Sequence, residues 1–265
     1  MNRLFSAEII RNESVDDRHF ILELSPGAAV ADTLVGQFFM LKPGESIDPL
    51  LLRPFSLMGF TVPGATHPNG TLSFLIRAAG KGTNILKRLP VGTCLTVLGP
   101  LGQGFPPIEE GERLIVVAGG IGIASVLGLV KVYQDVPLFY GVRTKGHLLL
   151  SPGMLNAISA EIHIASDDGS IGTKGNILEL LEAYVFQLRK SFGGNIKIYA
   201  CGPHAMLRAM AEMSLDAETY ISLETPMACG LGTCLGCAVK TAGGIQMVCK
   251  DGPVFNIKDI TWDEA

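Results

Sequence analysis

The chain is poor in the features that mark nucleic-acid-binding proteins. Charged residues make up only 17% of its 265 residues, the formal net charge is −4, and no long basic run occurs. Such a charge distribution gives no electrostatic reason to expect a nucleic acid ligand. The 48% hydrophobic content is that of a globular protein. The length predicts about two domains, or two and a small appendage.

The sequence also lacks the marks of export and membrane insertion. Its first residues, MNRLFSAEIIRNES, contain neither an apolar segment nor a small-residue cleavage site. The longest uncharged apolar run, Leu114 to Val130, has borderline length for a membrane span, but its central glycines favour a strand, a turn and a helix. We therefore expect a cytoplasmic protein without membrane contact. Lasting disulfides are rare there, so clustered cysteines favour metal binding or redox chemistry.

The chain changes character near its middle. Residues 5–102 contain six short segments rich in β-branched and aromatic residues, separated by Gly and Pro, which predict an antiparallel β-barrel or sandwich. Within them, a short helix is expected from Thr83 to Pro90. From about Pro107, strands alternate with helices, which indicates a parallel α/β sheet covered on both faces. We predict three domains: a barrel over 1–103, an α/β domain over 104–223 and a small loop domain over 224–265.

Four of the cysteines lie close together in the last of these domains. They follow the spacing C-x4-C-x2-C-x11-C, with three thiols in CGLGTCLGC and one further on. Zinc sites commonly use two short-spaced pairs, whereas plant-type [2Fe–2S] sites use three close cysteines and a distant one. The spacing favours a cluster held by Cys229, Cys234, Cys237 and Cys249. By contrast, Cys94, in GTCLTVL, is predicted to be ordinary barrel core.

Glycines mark the start of the α/β domain in VVAGGIGIAS. Gly119, Gly120 and Gly122 stand where a strand turns into a helix, and helix amides there can hold a dinucleotide pyrophosphate. A tight turn without a ligand is the alternative. The Rossmann pattern expects an acid after the next strand, but FYGVRT offers Arg143 instead. The choice between NAD and NADP therefore stays open.

A second glycine motif, RAAGKGTNIL, precedes the short helix of the barrel domain. Thr83 can cap this helix, and the amides near Gly80 and Gly82 can hold a phosphate. An ordinary helix cap without a ligand is the alternative. The segment LLRPFSL, read alone, is an edge strand with a tolerated proline.

Taken in order, RPFS, GKGT, GGIGIAS and YACGP resemble the ferredoxin–NADP reductase superfamily over about Arg3 to Leu223. The resemblance implies that the barrel binds FAD and that the α/β domain binds a nicotinamide nucleotide. One departure is Ser125, where relatives often have proline. The FAD contacts that it implies are Arg53, Pro54, Phe55, Ser56, Leu75, Ile76, Arg77, Gly80, Gly82 and Thr83. The nucleotide contacts that it implies are Gly119, Gly120, Gly122, Cys201, Gly202 and Pro203.

With SLETPMACGLGTCLGC included, the chain resembles, nearly end to end, the electron-transfer subunits of type B dihydroorotate dehydrogenases. This resemblance implies FAD, a [2Fe–2S] cluster and NAD, with an FMN-containing catalytic subunit as partner in a heterotetramer of two copies each. A flavin suits this combination, because nicotinamide moves two electrons and a cluster moves one. The partner would oxidise dihydroorotate, so no catalytic residue of that kind is expected here.

Two alternatives stay open at this point. One is the small subunit of NADH-dependent ferredoxin–NADP oxidoreductase, a family usually described with an aspartate at one ligand position, where this chain has four cysteines. The other is a non-catalytic binding module stabilised by zinc. Glu224, next to the cluster segment, can reach a flavin or be a solvated surface residue.

Overall fold

The computed structural model describes residues 3–27, 33–44, 47–133 and 135–262. These residues group into two compact units. The first consists of the chain up to Gly104 with residues 223–240 and 244–254. The second consists of residues 105–222 and 241–243 and the chain from Phe255 onward. The C-terminal segment thus contributes to both units, and the division into three functional domains stays a prediction.

The first unit is built on an antiparallel sheet of seven strands. These strands are β1 (Arg3–Ser14), β2 (His19–Pro26), β3 (Phe38–Leu41), β4 (Arg53–Ser56), β5 (Gly59–Thr61), β6 (Thr71–Arg77) and β7 (Cys94–Leu101). They lie in the order β4-β3-β7-β1-β2-β6-β5. Fully buried aromatic and aliphatic side chains fill the sheet's inner face, where Phe39 and Phe74 meet edge to face at 5.9 Å. The predicted antiparallel barrel is confirmed.

The segment RPFSLMGFTV forms two strands where the sequence predicts one. β4 pairs with β3, and β5 pairs with β6 at the other end of the sheet order. Between them, Leu57 and Met58 are buried. Since consecutive strands occupy the two ends of the order, the sheet curls towards closure, which protects its edges.

One helix, α1 (Lys81–Arg88), follows β6. Leu86 anchors it in the barrel core. Its C-terminal carbonyl groups are satisfied by Asn12, whose Nδ2 donates to the oxygens of Leu86 at 2.9 Å and Leu89 at 2.8 Å. The prediction for Cys94 is wrong: the side chain is exposed, because β7 alternates and Cys94 points away from the core side occupied by Leu95.

The second unit is an α/β sheet. Its elements are β8 (Arg113–Gly119), α2 (Ile123–Val132), β9 (Leu138–Val142), α3 (Pro152–Asn156), β10 (Ile162–Ser166), β11 (Thr173–Lys174), α4 (Ile177–Ser191), β12 (Ile196–Cys201), α5 (His204–Glu212) and β13 (Glu218–Ser222). The strands from β8 to β13 run parallel in the order β11-β10-β9-β8-β12-β13. The predicted alternation of strands and helices is confirmed.

The order of strands creates a reversal between β8 and β12. The chain proceeds from β8 to β9 and β10 on one side, and then from β12 to β13 on the other. In parallel α/β sheets, ligands bind beyond the carboxyl ends of strands at such a reversal. Gly119 ends β8 and Cys201 ends β12, so both predicted nucleotide motifs lie at this point.

Side chains of β12 hold the segment that leads into β8. The Tyr199 hydroxyl donates to the oxygen of Pro106 at 2.6 Å, and its ring stacks on Phe105 at 4.8 Å. Next to it, Lys197 forms an ion pair with Glu112 at 2.7 Å, and their side chains are only 9% and 10% exposed. This pair lowers the pKa of Glu112.

The C-terminal segment adds three short strands: β14 (Ala238–Thr241), β15 (Gly244–Met247) and β16 (Val254–Asn256). β14 and β15 form a two-stranded sheet, and β16 lies beside β13 at the edge of the second unit's sheet. In that unit, the Ala242 amide donates to the oxygen of Asp259 at 2.7 Å. Among the described residues, no helix combines the length and apolar character that crossing a membrane requires.

Candidate functional site

An anion-binding arrangement lies in the first unit, where Arg53 of β4 reaches the N-terminus of α1. A Cβ atom on Gly82 would lie 3.3 Å from Arg53 Nε and 3.1 Å from Pro43 Cγ, so the arginine crosses the helix directly over this glycine. The absence of a side chain at Gly82 keeps the helix amides and the guanidinium side by side. Both groups attract phosphate.

Thr83 stabilises the turn that leads into α1. Its Oγ1 accepts hydrogen bonds from the amides of Ala79 at 2.9 Å and Gly80 at 3.0 Å. The amides of Lys81, Gly82 and Thr83 belong to the first turn of α1, where a helix leaves its N–H groups without an intrahelical partner. The arrangement fits the diphosphate of a flavin dinucleotide, with Arg53 and these amides as donors. Lys81 also forms an ion pair with Asp48.

The other predicted flavin contacts lie on neighbouring strands of this unit. Arg53, Pro54, Phe55 and Ser56 make up β4 and are all partly exposed. Leu75, Ile76 and Arg77 end β6 directly before the turn into α1, with Leu75 and Ile76 buried and Arg77 exposed. The structure thus brings the start of α1 to Arg53 and supplies a partly exposed strand beside it.

The nucleotide motif of the second unit is formed by two turns packed against each other. A Cβ atom on Gly122 would lie 2.4 Å from the oxygen of Cys201, and one on Gly202 would lie 3.1 Å from the Cα atom of Gly119. The Met206 side chain also lies against Gly119 and Gly202. These glycines therefore allow close packing between the ends of β8 and β12.

Gly120 differs from its neighbours. Its φ is +51°, and a Cβ atom there would have no atom within 4 Å. It is the member of the three-glycine motif that faces open space, while Gly119 and Gly122 face protein atoms. Its oxygen accepts a hydrogen bond of 3.1 Å from the buried Tyr140 hydroxyl, which fixes the turn. A backbone exposed in this way at a helix N-terminus fits a dinucleotide phosphate.

Sequence reasoning did not anticipate the environment of Ser125. The residue is fully buried in the first turn of α2, and its hydroxyl has no partner among the described residues. An unpaired buried hydroxyl is unfavourable. The structure offers no compensating contact at this position, where the resemblance leads one to expect proline.

The four thiols of the C-terminal segment lie near one another as two pairs. The thiol of Cys229 interacts with that of Cys234, and the thiol of Cys249 interacts with that of Cys237. Within the described ranges, no three His, Cys, Asp or Glu side chains converge as a single metal ion would require. Two thiol pairs linked by one loop provide the donor set of a two-iron cluster, which needs four thiolates.

Backbone amides of the loop point at the sulfur atoms. The Leu231 amide donates to Cys229 Sγ at 3.4 Å, and the Gly232 amide donates to Cys249 Sγ at 3.0 Å. The amide hydrogen bonds lower the pKa of Cys229 to about 6, whereas burial raises the pKa of Cys249 to about 12. Amide donors stabilise negative sulfur, so the loop fits a cluster with thiolate ligands.

Glycines make the tight course of this loop possible. Gly230 and Gly232 have φ values of +71° and +80°. A Cβ atom on Gly230 would lie 2.1 Å from Sδ of Met40 in β3, and one on Gly232 would lie 2.9 Å from the Lys250 side chain. The cysteine spacing does not predict that Met40 or Lys250 contacts the loop, because both contacts depend on how the loop packs.

Glu224 starts the segment that leads to the cysteines. Its side chain is exposed, yet desolvation by the surrounding protein atoms raises the pKa of its carboxyl group. The hydroxyl of the next residue, Thr225, is buried and has no partner among the described residues. These two polar groups lie directly before the cysteine loop in the sequence.

These arrangements define a class of protein: a flavin- and nucleotide-binding reductase with an iron–sulfur segment. Residues 6–105 match the oxidoreductase FAD-binding domain family, and residues 224–261 match the iron–sulfur cluster binding domain of dihydroorotate dehydrogenase B. The chain's fold is also similar to that of a solved NADH-dependent reduced ferredoxin–NADP oxidoreductase. That comparison has a TM-score of 0.78 and 23% identity, over 97% of this chain and 90% of the other.

Curated relatives identify the family within that class. The dihydroorotate dehydrogenase B (NAD(+)) electron transfer subunit of Desulforamulus reducens is 34% identical, over 99% of this chain and 100% of its own length. The subunit of the same name from Bacillus caldolyticus is 36% identical, over 93% and 94% of the two chains. The chain belongs to the family of dihydroorotate dehydrogenase B electron transfer subunits. The predicted resemblance is confirmed.

Proposed function

We propose that this chain is the electron-transfer subunit of an NAD-dependent dihydroorotate dehydrogenase and serves pyrimidine biosynthesis in the cytoplasm. The observation that carries the proposal is the four-cysteine loop, whose amides point at its sulfurs, within a chain that matches the family nearly end to end. The functional division is a flavin module over 1–103, a nucleotide module over 104–223 and a cluster module over 224–265.

The chain's own residues bind and orient the redox groups in this proposal. Arg53 and the amides at the start of α1 neutralise the flavin diphosphate, and β4 and the end of β6 hold the flavin through the residues predicted above. The open backbone at Gly120 would hold the nucleotide phosphates, and the turn from Cys201 to Pro203 would contact the nicotinamide. When bound, the flavin exchanges a hydride with nicotinamide and single electrons with the cluster.

Four thiolates hold the cluster in this proposal: Cys229, Cys234, Cys237 and Cys249. The amides of Leu231 and Gly232 stabilise the charge on the sulfurs. Cys234 is exposed, as are the neighbouring Leu231 and Leu235, at 47% and 63%. Exposed apolar side chains around a redox group suit contact with another protein.

The proposed partner is the FMN-containing catalytic subunit, in a heterotetramer of two copies of each chain. The names of the relatives support a catalytic partner, since an electron transfer subunit acts with another subunit. The stoichiometry follows the family resemblance. Dihydroorotate would then be oxidised on the partner, and this chain would pass the electrons on to NAD.

An NADH-dependent ferredoxin–NADP oxidoreductase subunit is the second candidate, because its fold is similar over 97% of this chain. The four cysteines argue against it, since that family is usually described with one aspartate ligand. Zinc-stabilised binding without redox chemistry is the third candidate, and it predicts a colourless protein.

An anaerobic pull-down of the tagged chain from its own cells separates these candidates. The proposal expects a yellow-brown complex that contains a second, FMN-bearing subunit and reduces orotate with NADH. A coloured chain that reduces ferredoxin but not orotate would support the second candidate instead. A protein with neither flavin bands nor a cluster spectrum would contradict both redox functions.

A further inference from the structure

The side chain of Lys250 lies across the cysteine loop. A Cβ atom on Gly232 would lie 2.9 Å from Lys250 Cδ, 3.1 Å from its Cβ and 3.5 Å from its Cγ, so the aliphatic stem runs directly over this glycine. The Gly232 amide donates to Cys249 Sγ at 3.0 Å, and Lys250 follows Cys249 in the chain. The lysine therefore covers the backbone that contacts one of the four sulfurs, and its ammonium group is only two bonds beyond the Cδ atom that touches the loop.

Hydrogen bonds fix the backbone from which this lysine starts. The amides of Lys250 and Asp251 donate to the oxygen of Met247 at 2.9 Å and 2.8 Å, and Asp251 Oδ2 accepts from the Met247 amide at 2.7 Å. From the end of β7, the Gln103 amide donates to the oxygen of Gly252 at 2.6 Å, and Gln103 Nε2 donates to the oxygen of Lys250 at 3.4 Å. The turn is thus held on both sides, so the position of the Lys250 stem does not depend on a ligand.

The lysine adds a positive charge to a loop that has no charge of its own. The segment from Pro226 to Val239 contains no Asp, Glu, Lys or Arg. Lys250 is exposed, and in the part of the chain that the structure describes it forms no ion pair with an acid. The acid next to it, Asp251, accepts a hydrogen bond from a backbone amide instead. The ammonium charge is therefore not neutralised by a carboxylate among these residues.

A positive charge at this place acts on the reduction potential of an iron–sulfur cluster. The potential depends on net charge, on hydrogen bonds to the sulfurs and on solvent exposure. Reduction adds one negative charge to a group that four thiolates already make anionic. A nearby ammonium group therefore stabilises the reduced form more than the oxidised form. The amides of Leu231 and Gly232 act in the same direction through their dipoles, and Lys250 adds a full charge to them.

We propose that Lys250 raises the reduction potential of the cluster and thereby favours transfer of an electron from the reduced flavin to the cluster. In that step the flavin loses one electron and the cluster gains it, while Lys250 forms no bond and keeps its proton. The inference rests on the proposed function, because it requires a cluster on the four cysteines. It deepens that function by assigning a role to a residue that the ligand spacing does not include.

A redox titration of the complete complex, followed by electron paramagnetic resonance of the reduced cluster, tests the proposal. Lys250→Met keeps an aliphatic stem over Gly232 and removes the charge. At a fixed potential, its ratio of reduced to oxidised cluster should fall about two- to fivefold, the range for an exposed charge pair. For a one-electron couple this is a midpoint about 20 to 40 mV lower. Lys250→Arg should keep the original midpoint, and Lys250→Glu should lower it about twice as far as Lys250→Met, because the charge changes by two.

A matched variant and a change of salt separate charge from packing. Arg88→Met removes a positive charge from the last turn of α1, which Asn12 holds near the end of β1, whereas the cysteine loop contacts Leu101 at the end of β7 that pairs with the start of β1. This variant should leave the midpoint unchanged. Raising the ionic strength from about 0.01 M to about 1 M shortens the Debye length from about 30 Å to about 3 Å. The difference between Lys250→Met and the unchanged chain should therefore shrink at high salt.

Equal midpoints in the unchanged chain, Lys250→Met and Lys250→Glu would overturn the proposal. A shift that does not respond to salt would overturn it as well, because altered packing rather than charge would then be the cause. Iron content shows whether each variant keeps its cluster, and if Lys250→Met loses iron, Lys250→Gln supplies the same comparison of charge.

Orotate reduction by NADH, measured on the same preparations, keeps this inference apart from the proposed function. A complex that holds a cluster but does not reduce orotate would contradict the proposed function, and the midpoints of the variants would still decide the role of Lys250. A complex without any cluster would contradict both.

Discussion

Replacement of Gly230 by alanine should disturb the cysteine loop more than a positive φ alone explains. The residue has φ +71°, and its new Cβ atom would lie 2.1 Å from Met40 Sδ and 3.2 Å from Leu101 Cδ1. A left-handed backbone costs a non-glycine residue about 1 to 3 kcal/mol. Overpacking against a buried methionine adds about 1 to 3 kcal/mol, because Met40 is only 1% exposed. We expect a total loss of about 2 to 6 kcal/mol.

Thermal unfolding and iron content measure this effect. A loss of that size should lower the Tm by at least about 5 °C and reduce the iron bound per chain. Gly92→Ala is the matched control, since Gly92 lies in the same unit, has φ +91°, and has no atom within 4 Å of its Cβ position. The difference between the two variants isolates the overpacking contribution.

A double variant tests the named contact directly. Met40→Ala removes the sulfur that the new methyl group would strike, so Gly230→Ala should cost less in that background. If Gly230→Ala and Gly92→Ala have the same Tm and iron content, then the loop does not pack on Met40 as described. An unchanged cost in the Met40→Ala background would contradict the reasoning in the same way.

Three further predictions concern the flavin site, the ion pair between Lys197 and Glu112, and the cluster. Gly82→Val should weaken FAD binding at least about tenfold, since its side chain displaces Arg53, and flavin release on dilution measures this. Glu112 has a lowered pKa in the folded state, so its pair with Lys197 stabilises the protein above the unfolded pKa of about 4.3 and is lost as the pH falls through the folded value. Lys197→Met should therefore flatten the acid side of a plot of Tm against pH, and an unchanged slope would exclude this pair as the cause. Cys234→Ser should abolish the cluster but keep FAD, as iron and flavin per chain will show; joint loss of both would contradict independent sites.

The sequence predicts those parts of the fold whose signal is contained in neighbouring residues, and it misses those that depend on contacts between distant segments. Strand–helix alternation after Pro107 depends on hydrophobic periodicity, a local property, and every element of that pattern is present. The division of RPFSLMGFTV into two strands is different. Leu57 and Met58 are apolar, as strand residues often are, and they form a corner only because β4 and β5 pair at opposite ends of the curled sheet. The prediction for Cys94 fails for a similar reason, since an apolar run does not say which residues face the core.

The candidate site shows the same contrast between local signals and contacts across the fold. Cysteine spacing alone indicates the ligand set, because four thiols must lie within reach of one cluster. The roles of the individual glycines cannot be read in this way: Gly119 and Gly122 are required by the ends of β8 and β12, and Gly120 faces open space. Such differences arise from contacts between segments that are about 80 residues apart in sequence.

The position of β16 beside β13 has a consequence for any attempt to shorten the protein. A chain that ends after β13 would lose the cysteines and would also uncover a parallel edge strand, with a row of unpaired amide and carbonyl groups. Exposed strand edges of this kind pair with other copies of the chain and promote aggregation. The segment that follows the cysteines therefore also covers the edge of the second unit's sheet.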